Sequence, residues 1–168
     1  MASFDLAYSF LLPNEDETPP QYKAVHDPTK YDPGAQAIAG VNSAYWPNEF
    51  ALIATAPQDR RGPLVKQFYH LHFWNHWLEA MISSRLAAMG LDAGVNQGSG
   101  WAARFIQSAA GCAVDGLWGP ATLAAINAVS ADSAVPKFIA ARIARYRQIG
   151  GPSLPSWLIR AAKIPTFV

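Results

Sequence analysis

Three carboxylates near the start of the chain, Glu15, Asp27 and Asp32, have the type and placement that acid–base chemistry uses. Glu15 follows Leu11, Leu12 and Pro13. Partial burial beside such neighbours raises a carboxyl pKa and lets the group hold a proton near neutrality. A protonated carboxylic acid is what the departing oxygen of a sugar needs. Asp16 and Glu17 are direct rivals, because one residue of register decides which carboxylate points inward. Asp27 and Asp32 could supply the second carboxylate, which activates water or stabilises positive charge on a sugar ring. Each also precedes a proline, in Asp27-Pro28 and Asp32-Pro33, as ordinary turn residues do.

His70, His72 and His76 invite a metal reading. On a helix His72 and His76 stand one turn apart, but His70 does not share their face. The segment also lacks the glutamate of His-Glu-x-x-His, so polar packing or groove lining fits better and no metal is expected. Tyr69, Phe73, Trp74 and Trp77 could offer flat faces to sugar rings, although most aromatics of a central helix must be core. Asn96 and Gln97 carry amides suited to hydroxyl and acetamido groups, in a glycine-bearing stretch that equally suits a plain turn. Cys112, in an apolar context, has the pattern of a buried thiol more than that of a nucleophile.

These groups must be positioned by a chain of 168 residues, enough for one domain with a substantial core. Half of it is apolar and 15% is charged, too apolar for a disordered chain. No stretch approaches the ~18 consecutive apolar residues of a spanning helix, so no stable membrane insertion is expected. Met1-Ala2-Ser3-Phe4-Asp5 lacks a basic region followed by an apolar run, and the expectation is synthesis in the cytoplasm without a signal peptide. The single cysteine excludes an internal disulfide and a multi-cysteine metal site. A net charge of +1 gives no long-range pull toward nucleic acid. Arg142, Arg145, Arg147, Arg160 and Lys163 make the last third basic. A solvated helix face is the commoner explanation, a stripe facing an anionic polymer the other.

Helical spacing of Phe4, Ala7, Tyr8 and Leu11 predicts a short helix over 4–12, capped by Ser3. Residues 16–44 read as a long loop, with a small hairpin in 34–45; a loop of that length in a compact domain builds a site. A short helix is expected within 46–61, ending at the turn Arg61-Gly62. From 64 to 89 the pattern is helical and apolar on more than one face, as for a central helix. Ser99 can cap 100–110, Gly119-Pro120 opens a helix to about Val129, and Asp132 or Ser133 can cap 134–149. Pro155 starts a last short helix. The result is an all-α domain around a long central helix, with one irregular arm.

Several segments, taken in order, resemble N-acetylmuramidases of the glycoside hydrolase family 108 type, the endolysin-like lysozymes of phages and bacteria. Phe4-Asp5-Leu6-Ala7, Phe10-Leu11 and Asn14-Glu15 resemble that family's first helix, which ends at a catalytic glutamate in Glu-Gly-Gly. Tyr31-Asp32-Pro33-Gly34 resembles the start of its Asp-Pro-Gly-Gly-x-Thr loop, Tyr45-Trp46 a pair that follows, and Asp92-Ala93-Gly94-Val95-Asn96-Gln97-Gly98 its Asp-x-x-Val-Asn-x-Gly. Ala102-Ala103-Arg104-Phe105-Ile106-Gln107 with Val114-Asp115-Gly116-Leu117-Trp118-Gly119-Pro120-Ala121-Thr122-Leu123 is the strongest match, to peptidoglycan-associated modules. Arg142 with Tyr146, and Trp157 with Arg160, complete the series.

The resemblance implies a lysozyme-like helical fold in a single domain over 1–168, with a catalytic-type region at 1–98 and a peptidoglycan-binding-type helical region at 99–168 packed on it. It implies hydrolysis of the β-1,4 bond between N-acetylmuramic acid and N-acetylglucosamine, in the periplasm or at the cell wall after release or non-classical export. Glu15 would be the general acid, and Asp32, or else Asp27, would assist charge development or orient water. Asp27, Tyr45, Trp46, Asn96 and Gln97 would hold the peptidoglycan glycan strand. No metal or organic cofactor is implied. The departures fall where the chemistry should be: Glu15-Asp16-Glu17 replaces Glu-Gly-Gly, Ala35 replaces the second glycine of the loop, Ala37 aligns with its threonine, and Ala39-Gly40 lacks an aromatic. A non-catalytic peptidoglycan-binding or scaffolding domain on the same fold is therefore the alternative, and an amidase or peptidase a weaker third.

Overall fold

The computed structural model describes residues 1–28 and 32–167, so Tyr31 of the Tyr31-Asp32-Pro33-Gly34 segment lies outside the described residues. The fold is of the expected all-α, lysozyme-like class with a small β arm. The chain forms two compact units, one of Leu11–His72 and one of Met1–Phe10 with Phe73 to the C-terminus.

Helix α1 (Phe4–Leu11), which belongs to the second unit up to Phe10, gives way at the start of the first unit to a 3-10 turn at Leu12–Asn14, where Pro13 lacks the N–H that an α-helix would use. Glu15 ends that turn, its N–H donating to Leu12 O at 2.9 Å. The next carboxylate, Asp16, accepts the backbone N–H groups of Glu17 (2.7 Å), Gln21 (3.1 Å) and Tyr22 (2.8 Å) and so closes the following loop. The expected hairpin is present as β2 (Gln36–Ile38) and β3 (Val41–Asn42). A strand not expected, β1 (Ala24–His26), pairs antiparallel with β2, Val25 opposite Ala37. The region from 16 to 44 is thus partly a three-stranded sheet in the order β1-β2-β3.

Helix α2 (Pro47–Thr55) opens on a proline, and α3 (Gln58–Phe73) follows after a short break. The turn expected at Arg61-Gly62 is inside α3, as is Pro63. Its residues serve packing instead. The Arg61 guanidinium donates to the carbonyls of Ala54 (2.8 Å) and Ala56 (3.2 Å), which close α2, and to Tyr22 O (3.1 Å). A Cβ at Gly62 would stand 3.1 Å from the Tyr22 ring.

The second unit shows why no single helix covers 64–89. After Phe73 the Asn75 side chain accepts the N–H groups of Trp77 and Leu78, both at 3.0 Å, and starts α4 (His76–Glu79). Ser83 then accepts from Leu86 N at 3.3 Å and starts α5 (Ser84–Gln97). Asn and Ser offer backbone amides a competing partner, and two such caps divide the apolar run. Leu71 and Ile82, two members of that apolar run, are 68% and 72% exposed. The central role passes to α5, buried from Leu86 to Gly94, and α6 (Ser99–Ala110), which packs against α5, α7 (Pro120–Asn127) and α8 (Ala131–Ile149). Small residues allow the close approaches: a Cβ at Gly90 would be 2.7 Å from Leu78 Cδ2. Ser130, not Asp132 or Ser133, caps α8. Ser99 does not cap α6; its hydroxyl accepts from Trp118 Nε1 at 2.9 Å. Helix α9 (Leu154–Ala161) begins at the expected proline.

Two polar centres hold this unit. Asp92, fully buried on α5, meets Arg142 of α8 (2.6 Å) and Arg160 of α9 (2.8 Å). Arg142 is itself buried and donates to Gln97 Oε1 (3.2 Å) and Tyr146 OH (3.3 Å), and Tyr146 donates to Asn96 Oδ1. Burial pushes the Tyr146 phenol above its ordinary value, against the opposing pull of Arg142. The second centre is Gln107 on α6. Its amide donates to Asp115 Oδ1 (2.6 Å), Leu117 O (3.0 Å) and Thr122 Oγ1 (3.1 Å) and accepts from Gly116 N (2.9 Å). Gly116 has φ +80°, with the Arg104 guanidinium 2.8 Å from where a Cβ would stand. The loop from Asp115 to Gly119, together with Thr122 in the first turn of α7, is therefore fitted to one glutamine.

Two stability measurements follow from these centres. Asp92→Asn leaves Arg142 and Arg160 without a countercharge and should lower unfolding free energy by about 3–5 kcal/mol in urea titration; a loss within about 0.5 kcal/mol, usual for surface changes, would mean the arginines find water. The Leu117 N–H, and then the Gln107 amide, hold the Asp115 carboxyl below its ordinary value of 3.8. Its ionised form thus stabilises the fold fully above the unfolded value, and that contribution is lost as pH falls from there through the folded value. Asp115→Asn should accordingly flatten the dependence of the urea midpoint on pH in the acid range; an unchanged slope contradicts it.

Candidate active site

The first unit holds Glu15, Asp27, Asp32, Tyr45 and Trp46 of the expected site residues, with Glu15 at the β2–β3 turn and the others toward the opposite end of the hairpin. That turn has two central residues, Ala39 and Gly40, with φ +45° and +79°. Positive φ at both positions is what a type I′ hairpin requires, and the register Ile38 opposite Val41 agrees with it. Glycine tolerates this conformation; alanine is strained there. The strained residue is tied down, because the buried Tyr69 hydroxyl on α3 donates to Ala39 O at 2.7 Å. Phe68 packs edge-on against the Tyr69 ring and holds it in place.

Glu15 is half-buried and reaches the same turn. A Cβ at Gly40 would overlap both Glu15 Oε2 and the Tyr69 hydroxyl, and would stand 3.2 Å from Glu15 Cδ. The Glu15 carboxylate and the tyrosine hydroxyl therefore crowd the space that glycine leaves open. Asp16 is committed to backbone amides and Glu17 is exposed. Of the three adjacent carboxylates, Glu15 is the one turned toward the hairpin.

The remaining acidic candidates build the arm. Asp27, exposed beyond β1, accepts from Asn42 Nδ2 through Oδ2 (2.8 Å) and through its carbonyl (3.0 Å). Asn42 is buried on β3, and its carbonyl and side chain also receive the N–H groups of Trp46 (2.8 Å) and Ala44 (2.8 Å). One asparagine thus links Asp27 to the Tyr45-Trp46 pair. Asp32 is half-buried and its Oδ1 accepts from Gly34 N at 2.9 Å, an Asx-type turn. Ala37 is buried on β2, between Val25 and Asn42 of the neighbouring strands.

Tyr45 is 61% exposed and available as a flat face. Trp46 precedes α2 and is half-buried, edge-on to Phe68 and 4.5 Å from the His72 ring. His72 Nε2 lies 3.3 Å from Glu49 Oε1, a polar packing role. Among the described residues no group of three or more His, Cys, Asp or Glu side chains has the arrangement of a metal site. Asn96 and Gln97 belong to the other unit, bonded to Tyr146 and Arg142. There Tyr146 stacks on Trp157 with ring centroids 5.3 Å apart. Cys112 is half-buried with Sγ 3.7 Å from Gln107 O.

Sequence reasoning missed the roles of Tyr69, Gly40 and Asn42. The signal for Gly40 was present, since Ala39-Gly40 between two short apolar runs is a hairpin-turn pattern. Nothing local marks Tyr69, whose hydroxyl finds its partner across the fold. Among the described residues no helix is long and apolar enough to cross a membrane.

No protein-family model and no curated protein matches the chain. The solved structure of SagA from Brucella abortus is similar to it, with a TM-score of 0.64 at 20% sequence identity, over 95% of this chain and 89% of that one. At that identity the likeness is one of fold, and it extends over nearly the whole of both chains.

Proposed function

We propose that this protein is a peptidoglycan hydrolase acting on the glycan strand, an N-acetylmuramidase in which Glu15 protonates the leaving oxygen. The observation that carries this reading is the half-buried Glu15 carboxylate seated over Gly40 beside the Tyr69 hydroxyl. A rigid turn on one side and a buried aromatic on the other hold a carboxyl group in one orientation, which is what general-acid catalysis requires of it. Exposed Tyr45 offers a sugar-stacking face, and Asp32 or Asp27 is the second carboxylate in this scheme. The ordered run of family-like motifs and the shared fold with SagA support the same assignment.

A second reading, a wall-binding scaffold without catalysis, is favoured by specific observations. The position that aligns with the family's threonine is a buried methyl, Ala37. Asp27 and Asp32 also spend hydrogen-bonding capacity within their own loops.

The deciding experiment is reducing-end release and product mass from purified peptidoglycan, for wild type and Glu15→Gln at matched folded concentration. We expect new muramic-acid reducing ends from the wild type and a loss of at least about 10²-fold in the variant. Equal activity in both removes Glu15 from the mechanism, and cleavage by neither transfers the case to the scaffold. Gly40→Ala should cost about 1–2 kcal/mol of stability from its backbone conformation alone. By displacing the Glu15 carboxylate it should also lower turnover by about 10²-fold in protein that remains folded; wild-type turnover in that variant would detach the turn from catalysis.

A further inference from the structure

A small groove of about 190 Å³ lies in the second unit, between α5, α6, α8 and α9. Its walls are Trp101, Trp157, Tyr146 and Ile149, with Asn96, Gln97 and Arg145 supplying polar atoms. The polar atoms are of one kind. Gln97 Oε1 is taken by Arg142 Nε, a group that can only donate, so the amide is oriented with Nε2 away from Arg142. That Nε2 is shut off from water and has no acceptor; the Nε of Arg145 is in the same state. Asn96 Oδ1 is already occupied by the Tyr146 hydroxyl. Among the described residues no acidic side chain lines the groove. The Arg145 guanidinium lies over the Trp101 ring at 4.1 Å, held flat by the aromatic face and without a carboxylate partner among the described residues.

Buried donors left without acceptors are rare in folded proteins, and each calls for an oxygen to complete it. A planar carboxylate satisfies a guanidinium and an amide together. The apolar walls fit a small side chain beside it. The volume is modest, below the ~300 Å³ at which cavities for drug-sized ligands begin. We propose that this groove binds the C-terminal carboxylate of a short peptide ending in alanine, the chemistry of a peptidoglycan stem. A small rotation of the Arg145 and Gln97 side chains toward the groove brings their unpartnered nitrogens to the carboxylate, and Trp101 and Trp157 flank the methyl group. The inference rests on the wall-acting reading above and adds a peptide contact separate from the Glu15 carboxylate.

The test uses the full chain and the pentapeptide L-Ala-D-γ-Glu-L-Lys-D-Ala-D-Ala, as free acid and as C-terminal amide. Binding is read from the side-chain NMR signals of Gln97 Nε2 and Arg145 Nε. The free acid should shift both signals, and the amide should bind at least tenfold more weakly. Gln97→Glu keeps an acceptor for Arg142 but turns a like charge toward the ligand, and should weaken the free acid at least tenfold. Arg145→Met should do the same and guards against a folding defect in the first variant. Equal binding of acid and amide, no binding of either, or equal competition by N-acetylmuramic acid overturns the proposal. Reducing-end release measured in parallel keeps the two readings apart. Glycan cleavage without peptide binding overturns the groove alone, whereas Arg145-dependent peptide binding without cleavage supports the groove and removes only the hydrolase.

Discussion

Asp92 meets two guanidinium groups without touching water, and much of the second unit is arranged around that meeting. A carboxylate in low dielectric is tolerated only when its charge is matched and its lone pairs are filled. Arg142 and Arg160 do both, and in doing so bring α8 and α9 to α5. The consequences run outward from there. Arg142 orients the Gln97 amide and donates to Tyr146, Tyr146 reaches Asn96 and stacks on Trp157, and the groove beside them takes its donor-rich character from those commitments. Replacing such a cluster with apolar residues can be neutral in energy, but it would not leave Gln97 facing the same way.

The arm in the first unit divides its acidic residues by role. Asp16, Asp27 and Asp32 each accept amide hydrogens and shape a loop. Glu15 instead meets the turn at Gly40, where a Cβ would run into its carboxylate. Tyr69 links the two needs, since the hydroxyl that secures the strained Ala39 also borders the carboxylate. Turn geometry and carboxylate placement are consequently one constraint, and a change at Gly40 acts on both.

Much of the helical skeleton was legible in the amino-acid order. Gly119-Pro120 and Pro155 open helices as punctuation predicts, and Gly150 ends α8. The run from 64 to 89 was misread because hydrophobic spacing outweighed two weak local signals, Asn75 and Ser83, whose capping bonds decide the breaks. Arg61-Gly62-Pro63 has the composition of a turn, yet the guanidinium's three carbonyl contacts hold it within a helix. For the site, which of the adjacent carboxylates faces the hairpin depends on the turn around Pro13, which no local pattern distinguishes. Asp92 opens a motif-like segment, Asp92 to Gly98, and nothing near it in the chain points to arginine partners about 50 and 68 residues further on. Distant pairing, not residue type, was the missing information.

The loop served by Gln107 has little apolar anchorage of its own: Val114 and Leu117 are 47% and 69% exposed. Its order is borrowed from α6, mainly through one amide that meets Asp115, Gly116, Leu117 and Thr122 at once, with Arg104 on the Val114 carbonyl and Ser99 on Trp118 beside it. Such a loop has no partly open state worth occupying, since releasing any one contact loosens the group that makes the others. It opens with the end of α6 or not at all, so that a surface segment rich in small residues shares the hydrogen-exchange protection of the core helix beneath it.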